Sequence, residues 1–122
     1  MKTLAQRRSE FVLDQLRTVR GNHTEFEKLT MGLPAMILQN GLGHTLAFLL
    51  AKAGNEPNDR HRAAFNIIAG WLREQQVLSE ITPAPVMRAL SSMDQGKYLT
   101  GQREALKVLE WVKRYAKAGL FA

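Results

Sequence analysis

Residues 37–44, ILQNGLGH, interrupt the most apolar part of the chain. LPAM (33–36) precedes them and TLAFLLAK (45–52) follows. Asn, two glycines and His at such a place admit three readings: a turn, a phosphate-cradling glycine loop, or a helix that packs very closely on something else. Asn-Gly signals a hairpin when alternating β-branched or aromatic residues flank it. Here the flanks are Met, Leu, Ala and Phe without alternation, a helix pattern that tolerates a kink at Asn40-Gly41 but disfavours a full turn. Gly41-Leu42-Gly43 has no following Gly-Lys-Ser/Thr, no preceding strand and no βαβ context, so nothing aims backbone amides at a phosphate. The remaining reading is a central helix with Pro34 in its first turn, apolar on several sides and therefore buried on several sides. Each glycine within it costs ~1 kcal/mol of helix propensity relative to alanine. Close approach of another backbone is the expected compensation.

Outward from this segment the pattern stays helical. Leu, Ala, Gln, Glu, Lys and Arg dominate, and no stretch alternates with period two. Thr3 with Gln6 forms a candidate capping box for a first helix carrying Leu4, Phe11, Val12, Leu16 and Val19, ended by Gly21-Asn22. Thr24 with Glu27 repeats the pattern for a short second helix around Phe26 and Leu29, stopped near Gly32. AGNEPN (53–58) is a loop closed by Asp59 as N-cap. A fourth helix presents Ala64, Ile67, Ile68, Trp71, Leu72 and Gln75 at spacings of three and four. Thr82-Pro83 opens a fifth helix with Val86, Met87, Leu90 and Met93, and Asp94-Gln95-Gly96 breaks the chain again. The last helix, Tyr98 to Ala118, buries Ala105, Val108, Leu109, Val112 and Tyr115/Ala116, with Gly119 as its stop. The expectation is an all-α, single-domain bundle of five to six helices over residues 1–122.

Length and composition fit one cooperative core. A chain of 122 residues hides roughly two-thirds of the surface its unfolded form exposes. With no cysteine, thiol catalysis, disulfides and Cys-based zinc sites are excluded, and the composition suits the cytoplasm. The opening MKTLAQRRSEF places charge where an export signal needs an apolar stretch. The longest apolar segment is interrupted by Gln39, Asn40 and His44 and falls short of the ~20 residues that span a bilayer. Ten Arg and seven Lys against eleven acids give a net charge of +6, which favours polyanionic partners, nucleic acid first.

The enzymatic constellations fail on spacing. His23 lies in a turn, His44 in mid-helix and His61 in the first turn of the fourth helix, and no Cys or close carboxylate pair joins any of them. His44 follows Asn40 by four residues, so the two are expected as a polar pair, hydrogen-bonded in or at the edge of the core. Glu10 and Asp14, flanked by Arg7 and Arg17, read as a salt-bridged solvated face. The serines lack nucleophile-elbow context. No catalytic residue, metal site or cofactor is assigned.

The cations are better organised. Arg103, Lys107, Arg114 and Lys117 fall on one side of the last helix, with Glu110 in the missing rung, able to pair with Lys107 or Arg114. Trp111, Lys113 and Tyr115 occupy the same turns and offer aromatic surface for stacking. The first helix adds Arg7, Arg8, Arg17 and Arg20. Together they suit a surface that follows a phosphate backbone, with no motif for reading bases.

Three segments carry a family resemblance: LAQRRSEFVLDQL (4–16), LPAMILQNGLGHTLAFLLAK (33–52) and YLTGQREALKVLEWVKRYAKAGL (98–120), with AGWL (69–72) between the last two. In this order, over essentially the whole chain, they resemble the small helical subunit of the Cmr complex, the type III-B CRISPR RNA-silencing effector of antiviral defence. The resemblance implies a non-catalytic subunit whose copies stack into a filament beside the repeat-associated backbone subunits. The large polymerase/cyclase-like subunit lies at one end, and the filament lines the groove where guide RNA pairs with target RNA. It transfers a role for segments and none for single residues. Within it, Arg17, Arg20, Arg103, Lys107, Arg114 and Lys117 are the expected nucleic-acid surface. Gly41 and Gly43 would let the central helix approach a neighbour, while Asn40 and His44 meet a partner or RNA. A scaffold touching only proteins is the alternative, and a duplex-DNA binder a third.

Overall fold

A computed structural model describes residues 1–122 as six helices without a strand. They are α1 (Leu4–Leu16), α2 (His23–Asn40), α3 (Leu42–Ala53), α4 (Arg60–Glu74), α5 (Pro83–Ser92) and α6 (Gln95–Lys117). The long α6 is the spine: α1, α2, α3 and α4 all pack on it, and α5 closes the end formed by α3. One cluster of 25 buried residues runs through all six helices, with Phe26, Leu33, Ile37, Leu46, Phe65, Ile68, Leu72 and Leu109 among its fully enclosed members. No helix is long and apolar enough to cross a membrane.

Most starts follow local chemistry. Thr3 and Gln6 form the expected capping box: the Gln6 amide donates to Thr3 Oγ1 at 3.1 Å and the Thr3 amide to Gln6 Oε1 at 2.8 Å. Asp59 caps α4 by accepting the His61 amide at 2.7 Å, and Pro83 opens α5 after Thr82. The later helices keep the predicted faces, with Ala64, Ile67, Ile68, Trp71 and Leu72 buried on α4 and Val86 and Leu90 on α5.

Four boundaries depart from expectation, each for a physical reason. α1 ends at Leu16 and not at Gly21, because Thr18 donates both its amide (2.9 Å) and its hydroxyl (2.6 Å) to the Gln15 carbonyl and tightens the chain out of the helix. Asn22, and not Thr24, caps α2, accepting the Glu25 amide at 3.0 Å. α6 begins at Gln95, since Asp94 caps it through the Lys97 amide at 2.9 Å; the residues read as a break are the start of the helix. The largest departure is α2 itself, which continues through Gly32 and Pro34 to Asn40. Local propensity against Pro inside a helix is overridden by burial of Phe26, Thr30, Leu33 and Ile37 along α6, a stripe that needs one uninterrupted helix.

The continuous central helix expected across Asn40-Gly41 does not exist. Gly41 sits at φ 89° and ψ 165°, closing α2 and opening α3 at one residue. Its amide donates to Ile37 O at 2.7 Å, and its carbonyl accepts from the amide (3.2 Å) and hydroxyl (2.9 Å) of Thr45. A side chain at this φ and ψ, a region essentially confined to glycine, costs roughly 1–3 kcal/mol, which explains glycine there. The Asn-Gly dipeptide is a turn signal after all, used between helices and not between strands.

The ends of α4 and α6 share one motif built from different residues. After α6, Gly119 (φ 74°) donates to Ala116 O and Leu120 to Tyr115 O, both at 3.0 Å, as its position in the sequence predicts. After α4, Gln76 donates to Arg73 O at 3.0 Å and Val77 to Leu72 O at 2.9 Å, the same pair of bonds. Gln76 is the one non-glycine residue at positive φ, 61°, where a glycine would save roughly 1 kcal/mol.

Candidate nucleic-acid interface

The joint at Gly41 leaves α3 without a side-chain N-cap of its own. Two α6 side chains supply what is missing. Gln102 Oε1 accepts the Leu42 amide at 3.0 Å, and Tyr98 Oη accepts the Gly43 amide at 2.8 Å. A Cβ on Gly41 would stand 3.4 Å from Tyr98 Oη, and one on Gly43 only 3.3 Å from it. The second backbone expected beside these glycines is not there: the Tyr98 side chain is, tight against Gly43 and in ordinary van der Waals contact with Gly41. Asn40 and His44 are both exposed, on either side of the break, and no hydrogen bond joins them, so the expected core pair is not formed. Sequence reasoning misses Tyr98 and Gln102, because nothing local marks a residue that caps a helix more than fifty positions away.

A second unit fixes α1, α4 and α6 to one another. Arg8 donates to Glu104 through Nε (3.1 Å) and Nη2 (2.9 Å), and Trp71 Nε1 donates to Glu104 Oε1 at 2.9 Å. Arg8 is only 7% exposed, which removes it from the cationic surface expected on α1. Burial raises the Glu104 pKa, but the hydrogen bonds from Arg8 and Trp71 and the charges of Arg8 and Lys107 outweigh it and hold the carboxyl below its ordinary range. Two other predicted pairings are replaced: Glu10 bonds Lys2 at 2.8 Å and not Arg7, and Glu110 lies 3.5 Å from Lys113 and not against Lys107 or Arg114.

That exchange frees the cations of α6. Arg103, Lys107, Arg114 and Lys117 are all exposed, none forms an ion pair, and the opposite face of the helix is the one buried through Gly101, Ala105, Val108, Leu109, Val112 and Ala116. The row extends for roughly 21 Å along the axis, at 1.5 Å per residue. Arg103 Nη2 touches Thr100 Oγ1 at 3.3 Å and is otherwise free. Trp111 and Tyr115 do not share this face. They turn toward α1, where Tyr115 Oη meets Ser9 Oγ at 2.7 Å and both rings line a groove with Leu13, Glu10 and Asp14. Arg17 and Arg20 stand apart at the end of α1. Arg20 Nη1 donates to Arg17 O at 3.3 Å, and Arg20 borders a small cleft shared with Arg73 between α1 and α4.

The histidines do not converge. His23 stacks on Phe121 with ring centroids 3.9 Å apart, His44 is exposed, and His61 Nδ1 lies 2.8 Å from Asp59 Oδ1. Burial raises the Asp59 pKa, but its hydrogen bonds and charge interaction with His61, helped by Arg60, hold it below the ordinary range. No group of three or more His, Asp or Glu side chains comes together at metal-binding distances.

Fold and surface define a class: a small all-α domain, cationic along the outer side of its longest helix. The chain matches the family described as CRISPR-associated protein (Cas_Cmr5) over residues 4–119, and it belongs to that family. It is 30% identical over 94 residues to the CRISPR system Cmr subunit Cmr5 of Thermus thermophilus, covering 77% of this chain and 74% of that one. Its fold is similar to the X-ray crystal structure of a CRISPR-associated Cmr5 family protein from the same organism, with a TM-score of 0.75, 28% identity and 97% of each chain covered.

Proposed function

We propose that this protein is the non-catalytic small subunit of a type III-B Cmr effector, and that the outer side of α6 lies along the phosphate backbone of guide or target RNA. The reading rests on one observation: four exposed cations on one side of one helix, none in a direct ion-pair contact, in a member of the Cmr5 family. Such a surface follows charge and shape and is indifferent to base sequence. Copies stack into a filament beside the repeat-associated subunits, with the large polymerase/cyclase-like subunit at one end. Asn40 and His44, exposed beside the Gly41 joint, face partner or RNA. Arg17 and Arg20 form a second, separate contribution.

Salt dependence tests the RNA contact. If about four to six phosphates are engaged, log affinity for single-stranded RNA falls with log salt at a slope near −3 to −4. A flat response removes RNA from the account. The isolated chain binds more weakly than the assembled complex, where neighbouring subunits raise the effective concentration.

A protein-only scaffold is favoured by one feature. The outer side of α2 exposes Leu38 (72%) and Met31 (45%), two turns apart, beside Ala35. RNA crosslinking of the assembled complex decides: links to α6 support RNA contact, and links confined to other subunits support the scaffold.

A further inference from the structure

An open groove lies away from the α6 row. About 560 Å³ in volume, it opens where the end of α4, the connection after it, the end of α5 and the start of α6 meet. Arg73 of α4 and Lys97 of α6 line it, no acid is among its nine lining residues, and neither cation has an ionic partner. Asp94, three residues before Lys97, is already spent on the Lys97 amide. Ala89 and Met93, both half-buried, give the groove an apolar wall over the buried Val77 and Leu78, and the exposed Ser79 hydroxyl beside them has no partner within the chain. Two cations from helices far apart in sequence, an unused hydroxyl and an apolar wall make a combination that helix periodicity does not generate.

Gln76 supplies the independent observation. It occupies the left-handed position that ends α4, where Gly119 does the same work at the end of α6 without strain. A glycine would make that turn equally well, yet the chain keeps a side chain there, and that side chain lines the cavity. Strained non-glycine residues of this kind collect at binding sites.

We infer that this cavity binds a nucleotide unit: the phosphate lies between Arg73 and Lys97, Ser79 and the Gln76 carboxamide donate to it, and the base rests on Ala89 and Met93. A volume of about 560 Å³ lies within the usual range of small-ligand sites. The ligand is a free nucleotide or the terminal residue of an RNA strand, which present the same chemistry. The site is separate from the α6 row and stands whether or not that row meets RNA.

The test uses the full chain, isotope-labelled, titrated with AMP and with a short 5′-phosphorylated RNA, with adenosine as control. AMP is expected to move the amide signals of Arg73, Gln76, Ser79 and Lys97, and adenosine to move them far less. Arg73→Ala with Lys97→Ala lowers AMP affinity tenfold or more. Gln76→Gly raises the melting temperature while weakening AMP, a pairing that a purely structural glutamine does not produce. Lys107→Glu with Arg114→Glu leaves AMP binding intact, so loss of RNA binding in that variant reports on the α6 surface alone. Signals moved only by the phosphorylated RNA assign the site to a strand end and uphold it. If neither probe moves them, or if the Arg73/Lys97 double variant binds AMP as the wild type does, the inference is overturned.

Discussion

The Tyr98 phenol accepts the Gly43 amide at 2.8 Å, so one side chain of α6 holds the first turn of a helix 55 residues earlier in the chain. With Gln102 on Leu42 it satisfies two amides that α3 leaves open, a capping role usually filled by the residue next to the helix.

Tyr98→Phe keeps the ring and removes the acceptor. Leaving the Gly43 amide unpaired at a partly buried site costs about 1–3 kcal/mol, and Gln102→Leu acts similarly on Leu42. Urea unfolding measures both. A Tyr98→Phe midpoint equal to that of the wild type would show that the phenol contributes nothing to the joint.

Substitution at the joint itself is costly in a different way. Gly41→Ala forces a side chain to φ 89° and ψ 165° and is expected to destabilise by about 1–3 kcal/mol. Replacing Gly41 and Gly43 together by leucine drives Cβ atoms toward Tyr98 Oη and displaces both caps. A double variant that folds and assembles like the wild type would contradict the tight joint.

The Arg8–Glu104–Trp71 unit sets an acid limb of stability. Glu104 has its pKa lowered by folding, so its contribution is fully present above its ordinary value of 4.5 and is lost as pH falls through the lower folded value. Glu104→Gln should flatten the fall of the urea midpoint below pH 4.5. Glu104→Ala, which strands Arg8, costs about 3 kcal/mol at neutral pH. An unchanged acid limb in Glu104→Gln would assign that limb to other carboxylates.

If the proposed RNA surface lies on α6, neutralising Lys107 and Arg114 with glutamine removes two phosphate contacts. The salt slope for single-stranded RNA should shrink by about 1.4, at about 0.7 per contact, with helicity by circular dichroism unchanged. An unaltered slope places the RNA elsewhere.

The two candidate caps of α2 are separable by mutation. Asn22→Ala costs about 1 kcal/mol, and Thr24→Ala a few tenths at most. The reverse order would return the helix start to Thr24.

The apolar spacing of α4, α5 and α6, and of α1 apart from the exposed Leu4, is readable because each buries one stripe on a single core, and the caps at Thr3 and Asp59 and the start at Pro83 agree with that spacing. Legibility ends where distant residues decide. Pro34 looks like a helix start in isolation, but Phe26, Leu33 and Ile37 lie on one face of α2 against α6, and only tertiary burial shows that. Gly41 misleads for the same reason. Its flanks are helical on both sides, and the partners that stabilise a break, Tyr98 and Gln102, are far along the sequence. The α6 cations are legible as a helical stripe, whereas the Arg73–Lys97 groove is not, since its two cations line one surface only when α4 and α6 are in place.

A chain leaves the ribosome from its N-terminus, and this joint is completed from the C-terminal side. Residues 23–53 emerge as two helical pieces around an elbow whose angle nothing upstream can hold. Its Leu42 and Gly43 amides find their partners only when Tyr98 and Gln102 have been synthesised and α6 has docked. Truncation before residue 98 therefore leaves the Leu42 and Gly43 amides without these partners, and the last fifth of the chain completes a turn in its middle.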